Sequence, residues 1–458
     1  MASFYIENFG CRATDADASA LRHRLQADGW RRVAEHQGAE LVVLNTCTVT
    51  ATADSQAREA VRKIHRANPN ARIVVTGCYA QRAPEELAGL AGVVAVVGNA
   101  RQDEIPRIAR AGRDTGDFVP VGSLLGKRTE APIIAGDVEA LTSVQSGASE
   151  AVEGDSTRPI LKVQDGCANR CAYCIIPFVR GQSRSLPPDE VIGAVNRWVA
   201  AGAREIVLSG INLGSYGRDF SPRASLAALV DRILCETQLE QLRFSSIEAQ
   251  HVTADFASLV ASSGRIAPHF HIPLQSGSDR VLHAMHRWYR TAHYAERVCR
   301  IREMLPHAAI GADVIAGFPG ETEADFEQTL AFVRELPLTY LHPFSFSVRP
   351  GSEAARLENA LPSSLIRERA RALRAMSAQK SAAFRACCAG GEVRALTLAG
   401  SQDGWTEALT GNYFKVRIAG RHAANQWRWI RPTVSAEDIL VSAPVSGRCF
   451  AEPSLVAR

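Results

Sequence analysis

The sequence predicts an α/β protein in three parts: an N-terminal doubly wound parallel sheet, a central partial (β/α)6 TIM-like barrel and a small C-terminal β-barrel. Three observations predict it. Short β-branched apolar runs alternate with helical patterns over residues 1–125 and again over 158–386, the rhythm of parallel sheets. Residues 126–157 break that rhythm. They hold no Phe, Tyr or Trp and set six acidic residues against two basic ones, the composition of a flexible acidic linker. Residues 387–453 carry short strand-like runs broken by Gly and Pro, the pattern of a small all-β barrel.

The elements follow in order. In the first part 3–6, 40–45, 72–77 and 93–97 read as strands, and 15–28, 53–67, 84–90 and 102–111 as helices. In the second, 160–164, 205–209, 242–246, 269–274, 310–315 and 340–346 read as six strands, each followed by a helical pattern. The strand-end loops of such a barrel hold its active site. In the third, 392–399, 405–410, 413–418 and 438–442 read as strands.

Composition narrows the classes. Hydrophobic content of 46% and charged content of 22% are ordinary for a globular protein. No apolar run reaches the ~18 residues that span a bilayer, and the first residues carry no basic region, so neither a membrane span nor a secretory signal is expected. The expected location is the cytoplasm. Disulfides are rare there, so the eleven cysteines read as metal-binding, catalytic or buried. Charge is uneven: residues 365–431 hold 12 Lys/Arg against 4 Asp/Glu in a chain of net charge +4. That segment suits a polyanion partner, although a solvated helix face has the same composition.

One run carries chemistry: Gly166-Cys167-Ala168-Asn169-Arg170-Cys171-Ala172-Tyr173-Cys174, a C-x3-C-x2-C spacing. Thiolates are the usual ligands of [4Fe-4S] clusters, normally four of them. Three leave one iron open to a small molecule. Zinc would need a fourth ligand, and no second C-x2-C or H-x3-H pair is present. Cys11, Cys47 and Cys78 each follow one of the first three predicted strands, so all three thiols reach one rim of a parallel sheet, where ligands bind. Gly10 and Gly77 beside them allow close backbone approach. These three are either buried core cysteines or a second three-ligand cluster site. Cys235, Cys299, Cys387, Cys388 and Cys449 read as structural.

With these residues in place the chain resembles the radical S-adenosylmethionine enzymes, and through its N-terminal triad the methylthiotransferases among them. Further matching stretches are Cys174-Ile175-Ile176-Pro177 through Arg180-Gly181, Ser209-Gly210-Ile211-Asn212-Leu213-Gly214-Ser215-Tyr216-Gly217, His271-Ile272-Pro273-Leu274-Gln275-Ser276-Gly277-Ser278, Gly317-Phe318-Pro319-Gly320-Glu321-Thr322 and Arg349-Pro350-Gly351-Ser352. The tail resembles the TRAM domain, an RNA-binding β-barrel. The resemblance implies two [4Fe-4S] clusters and S-adenosylmethionine as cofactors. Cys167, Cys171 and Cys174 would hold the cluster that binds and cleaves S-adenosylmethionine to a 5′-deoxyadenosyl radical. Cys11, Cys47 and Cys78 would hold the cluster that supplies sulfur. All six would be catalytic through their clusters. Tyr173, Asn212, Gln275, Ser276, Asp313 and Gly317 would contact S-adenosylmethionine, with Asn212 toward its methionine end and Asp313 and Gly317 near its adenine.

Within the family the sequence is most similar to the branch acting on N6-threonylcarbamoyladenosine in tRNA. The implied reaction is methylthiolation of carbon 2 of that nucleoside, at position 37 beside the anticodon. Implied partners are the tRNA, an electron donor such as flavodoxin or ferredoxin, and a sulfide or persulfide source. The alternatives are the same chemistry on isopentenyladenosine in tRNA or on a ribosomal protein and, more remotely, a non-catalytic iron–sulfur RNA-binding module. In the tail, Lys415, Arg417, Arg421, Arg428 and Arg431 are candidates for phosphate contacts, and Trp405, Tyr413, Phe414, Trp427 and Trp429 for stacking on bases or for filling the barrel core. The sequence departs from the branch pattern at Thr14, where Asn is usual, and at Ser352, where Thr is.

Overall fold

The computed structural model describes residues 2–111, 130–144, 157–435, 437 and 439–443. Its N-terminal sheet has the order β2-β1-β3-β4-β5-β6, all pairs parallel, from β1 (Ser3–Asn8), β2 (Arg31–Arg32), β3 (Leu41–Thr46), β4 (Arg72–Gly77), β5 (Val93–Val97) and β6 (Ile133–Ile134). Side chains alternate across β3, and both faces are buried. Val42 and Leu44 pack against Ala57, Val61 and Ile64, whereas Leu41 and Val43 pack against Leu21, Leu25 and Ile105. A sheet covered by helices on both faces is the doubly wound arrangement, and it explains the uninterrupted apolar run.

Residues 130–144 correct the expectation of a linker there. Ile133–Ile134 extends the sheet as β6, Ala131 and Val138 are buried, and the Ser143 carbonyl accepts a hydrogen bond from Arg184 at 2.8 Å. Acidic composition hid Ile133 and Ile134, which pair with the parallel edge at β5, and Ala131, Val138 and Val144, which are buried.

The central part is an open arc of six parallel strands: β7 (Ile160–Asp165), β9 (Glu205–Gly210), β10 (Gln241–Phe244), β11 (His269–His271), β12 (Ala309–Ala316) and β13 (Tyr340–Ser345). Short β8 (Arg184–Ser185) pairs antiparallel with β7, and isolated bridges Leu242–Ile266 and Ser246–His271 join the two halves of the arc. The helix Ser363–Cys388 packs on β13, where Ser377 bonds both the N–H and the carbonyl of Leu341.

The tail is a curled sheet ordered β17-β14-β15-β16-β19-β18, built from β14 (Val393–Gln402), β15 (Trp405–Thr410), β16 (Lys415–Ala419), β17 (Trp427–Ile430), β18 (Thr433–Val434) and β19 (Leu440–Ser442). The strand expected at 413–418 begins at Lys415, because Tyr413 adopts φ 69° in a turn whose N–H returns to Thr410. Strand β17 was not expected. Its Trp427 is 1% exposed, and the Arg394 guanidinium lies 4.0 Å from its ring centroid, so it fills the fold rather than stacking on a base. Tyr413 is committed too: its ring stacks on His269 at 4.3 Å. Cys449 and everything after residue 443 lie outside the described residues.

Candidate active site

Each N-terminal cysteine leaves the carboxyl end of a sheet strand. Cys11 is the N-cap of the helix Arg12–Ala27, Cys47 follows β3, and Cys78 opens the helix Cys78–Arg82 after β4. Two glycines allow the crowding. Gly10 has φ +124°, and a Cβ there would lie 2.5 Å from the Cys47 Cβ. Gly77 has φ +97°, and its Cβ would meet the Thr46 carbonyl at 2.3 Å. Thr14, the departure noted above, donates to the Cys11 carbonyl at 2.6 Å and so braces the first loop.

The second triad sits on the loop after β7. The Cys167 N–H bonds the Gly181 carbonyl at 3.0 Å, Cys174 N–H bonds Cys171 O at 3.0 Å, and Ala172 is pinned at both ends, to Met285 and Ala354. Donors reach the sulfurs. Arg287 Nη1 lies 3.4 Å from Cys171 Sγ, the Asn169 N–H 3.4 Å from Cys167 Sγ, and Asn212 Nδ2 3.8 Å from the same sulfur. Arg287 also pairs with Glu248 and contacts the Tyr173 hydroxyl.

Packing connects the segments that carry the two triads. Cys78 packs against Ile175 and Val179, on the segment that leaves Cys174. Arg180, from the same segment, donates to Cys78 Sγ at 3.2 Å. A second seam joins the loops after Cys47 and after β13: Arg349 donates to Asp54 at 2.7 Å and to the Thr48 carbonyl at 3.3 Å. Beside this second seam opens a cavity of about 180 Å³ lined by Val49 and Thr50 from the N-terminal part and by Tyr173, Gln275, Asp313, Ile315, Phe344 and Phe346 from the barrel.

Of the six residues expected at the S-adenosylmethionine site, Tyr173, Gln275 and Asp313 line this cavity, and Asn212 touches the sulfur of Cys167. Gln275 is held at φ 69°. Asp313 lies 3.0 Å from His271 and 3.5 Å from His342; burial opposes its ionisation, yet the two imidazoles hold it below the usual carboxylate range. Ser276 and Gly317 are placed differently. The Ser276 hydroxyl is fully buried against Thr329 and accepts from Ser278 N–H, and the Gly317 N–H is taken by Glu321 at 2.8 Å. Both serve the turns that lead into the following helices. Arg287, Glu248, His342, Lys162 and Asp165 carried no signal in the sequence, because only folding brings them beside the loops.

The chemistry of the donors decides what they fit. Burial first, then the neighbouring Cys78 and Cys11, pushes the Cys47 thiol up to about 12. Burial and then Cys171 do the same to Cys174, also about 12. Thiols clustered in this way ionise readily only around a cation. Among the described residues, the one set of three His, Cys, Asp or Glu residues whose ligand atoms lie within 4.8 Å of one another is His271, Asp313 and His342. Neither cysteine triad is that tight. A single zinc ion, with sulfurs at ~2.3 Å, would require it. Six sulfurs in two wider triads suit two polynuclear iron–sulfur clusters.

A C-x3-C-x2-C loop on the first strand of an open (β/α)6 arc, beside a cavity at the strand ends, defines a radical S-adenosylmethionine enzyme. Comparisons agree. Residues 161–333 match the radical SAM superfamily and residues 3–98 the uncharacterized protein family UPF0004. The chain is 34% identical to the threonylcarbamoyladenosine tRNA methylthiotransferase MtaB of Aquifex aeolicus, over 91% of this chain and 96% of that one. It is 37% identical to the Bacillus subtilis protein of that name, over 83% and 81%. It is 33% identical to a tRNA-2-methylthio-N(6)-dimethylallyladenosine synthase of Thermobifida fusca, over 87% and 78%. The radical S-adenosylmethionine methyltransferase TsrM of Kitasatospora setae shares the fold, with TM-score 0.56 and 16% identity over 77% of each chain. The chain belongs to the radical S-adenosylmethionine tRNA methylthiotransferases, enzymes that use S-adenosylmethionine and two [4Fe-4S] clusters. No helix among the described residues is long and apolar enough to cross a membrane.

Proposed function

We propose that this enzyme methylthiolates carbon 2 of N6-threonylcarbamoyladenosine at position 37 of tRNA. Cys167, Cys171 and Cys174 hold the cluster that binds S-adenosylmethionine, and Cys11, Cys47 and Cys78 hold the cluster that donates sulfur. The reading is carried by the packing of Cys78 on Ile175 and Val179, with Val49, two residues after Cys47, and Tyr173, next to Cys174, lining one cavity. When bound, the clusters and S-adenosylmethionine supply the radical that removes the carbon 2 hydrogen and the methylthio group that replaces it.

The chain's own residues set the stage. Val49, Ile315, Phe344 and Phe346 give the cavity apolar walls, while Gln275, Asp313 and the Tyr173 edge offer polar contacts for orientation. Beside His342 a groove of about 360 Å³ runs between barrel and tail. Arg385, Lys415, Phe384 and Phe414 line it, the mix of cations and rings that suits an unpaired RNA segment. Two of the relatives support threonylcarbamoyladenosine as the nucleoside, and a third supports dimethylallyladenosine as the alternative. The cytoplasm is the setting such a substrate implies. A low-potential electron carrier and a sulfide or persulfide source complete the reaction.

The test supplies anaerobically reconstituted enzyme with S-adenosylmethionine, reductant, sulfide and anticodon stem-loops carrying either nucleoside, followed by mass spectrometry of the digests. Methylthio product from the threonylcarbamoyl substrate alone is expected. Product from the dimethylallyl substrate alone overturns the choice of nucleoside. Cys174→Ala should abolish 5′-deoxyadenosine formation, whereas Cys47→Ala should keep it and lose methylthiolation. Full methylthiolation by Cys47→Ala would remove the sulfur-donor role.

A further inference from the structure

A closed box of charge lies behind Cys78. Asp17 comes from the helix after Cys11, Lys162 and Asp165 from β7, Arg180 from the end of the helix Ile176–Arg180, and Arg184 from β8. All five are at most 5% exposed. Arg180 Nη2 donates to Asp17 at 2.7 Å and Nη1 to Asp165 at 3.1 Å; Lys162 bonds both carboxylates; Arg184 reaches Asp165 at 3.2 Å. The third donor of Arg180, Nε, points out of the box to Cys78 Sγ at 3.2 Å. Asn99 flanks the same sulfur at 3.6 Å, and its amide is anchored on the Val179 carbonyl at 2.8 Å.

Three cations and two carboxylates leave the box one positive charge in excess. A buried charge without a partner is strongly unfavourable. The neighbour able to balance it is Cys78, once that sulfur is a thiolate in an anionic cluster. Donors to cluster sulfurs and local charge are what set the potential of an iron–sulfur centre. Arg180 supplies both, and it reaches Cys78 from the other half of the molecule, six residues beyond Cys174.

We infer that Arg180 is a positioning residue for the N-terminal cluster: it completes that site from the barrel side, and with its buried ion box it raises the cluster's reduction potential. The inference rests on the reading that Cys78 ligates a cluster. Each electron added makes the cluster more negative, so an adjacent uncompensated cation favours the reduced form. Docking of the N-terminal part on the barrel therefore sets the redox state that the sulfur-donating centre can reach, and an undocked N-terminal part would carry a cluster of lower potential.

The experiment uses the full-length chain with Cys167, Cys171 and Cys174 replaced by Ala, so that one cluster is read, and follows an anaerobic redox titration by EPR. Arg180→Gln is expected to lower the reduction equilibrium at least tenfold, ~59 mV for one electron. Asp17→Asn, which adds to the positive excess, is expected to raise the potential, and Arg180→Lys to fall between parent and Arg180→Gln. Structural damage alone does not produce shifts of opposite sign. Shifts of the same sign, or both within twofold of the parent, overturn the inference. If Arg180→Gln assembles no cluster, the other two decide, and no rise in Asp17→Asn overturns it. Cys78→Ala separates the two levels: a fully retained N-terminal cluster there refutes the underlying reading instead.

Discussion

Arg349→Met tests whether the second seam holds the two halves of the site together. The side chain of Arg349 is 4% exposed, and its guanidinium spans from the loop after β13 to Asp54 at 2.7 Å. Removing one partner of a buried ion pair costs about 3–5 kcal/mol when the other is left alone. Asp54 is not left alone: Arg82 remains at 3.1 Å and the Thr48 hydroxyl at 2.7 Å. The expected cost is therefore lower, about 2–3 kcal/mol, or roughly 30- to 150-fold in the equilibrium between docked and open forms of the loop. Hydrogen exchange on the apo chain reads it directly. Amide protection over residues 47–54 should fall by that factor while the sheet behind, β3 and β4, keeps its protection. Asp54→Leu should cost more, because it strands Arg349 and Arg82 together. In the double variant the two changes should be strongly non-additive. Protection over 47–54 within threefold of the parent in Arg349→Met, together with additivity in the double variant, would refute the reasoning.

Gly77→Ala should lose the N-terminal cluster and keep the other, since φ +97° and a 2.3 Å approach to the Thr46 carbonyl both oppose a Cβ; iron analysis should fall to about half, with at least ~2 kcal/mol lost in urea melts. Glu205 is buried, yet Arg243 at 2.7 Å and Arg158 at 3.2 Å outweigh desolvation and hold it below its ordinary value of 4.5. A carboxyl with a depressed folded value stabilises the fold above its unfolded value and loses that contribution as pH falls through the folded one. The urea midpoint should thus drop as pH falls below about 4.5, and in Glu205→Gln, already weaker at neutral pH, that drop should be shallower. Lys415 and Arg417 alternate with buried Val416 and Ile418 on β16 and are exposed; replacing both by Gln should weaken tRNA binding about evenly across sequences and lower the salt slope by roughly one per lost phosphate contact. An unchanged slope would place the RNA elsewhere.

Much of this arrangement is local enough to be legible in a sequence. The C-x3-C-x2-C loop is contiguous, and Cys11, Cys47 and Cys78 stand at strand ends that their apolar runs announce. What lies between the triads is not local. Arg180 and Arg349 sit in stretches that matched the family, but nothing in those stretches says that one reaches Cys78 and the other Asp54. Ser276 shows the converse: its position in a matching motif suggested a cofactor contact, and only the fold shows that its hydroxyl meets Thr329 and the Ser278 N–H. For Trp427 and Tyr413 the sequence left base stacking and core filling both open, because an aromatic in a basic tail has the same local pattern whether it faces RNA or the core; the fold buries the one and stacks the other on His269.

Tyr413 ties the tail to the helix that follows Cys11. Its ring lies on His269 at the start of β11, and its hydroxyl accepts from Arg12 at 3.1 Å. Arg12 is the residue after Cys11 and also donates to the Phe244 carbonyl at 3.3 Å. Arg243, buried beside them, holds the turn before Tyr413 through the carbonyls of Thr410 and Gly411. One side chain from each of the three parts, Arg12, Arg243 and Tyr413, therefore meets one residue beyond Cys11. Tyr413→Ala should leave tail stability nearly intact, because its own core of Ala395, Ala408, Val416, Ile418, Ile430 and Leu440 is untouched. It should loosen the Cys11 loop and lower methylthiolation more than tRNA affinity. Tyr413→Phe, which keeps the stack and drops the hydroxyl, should fall between. If Tyr413→Ala lowers affinity and turnover in equal proportion, the tail acts by tethering RNA alone.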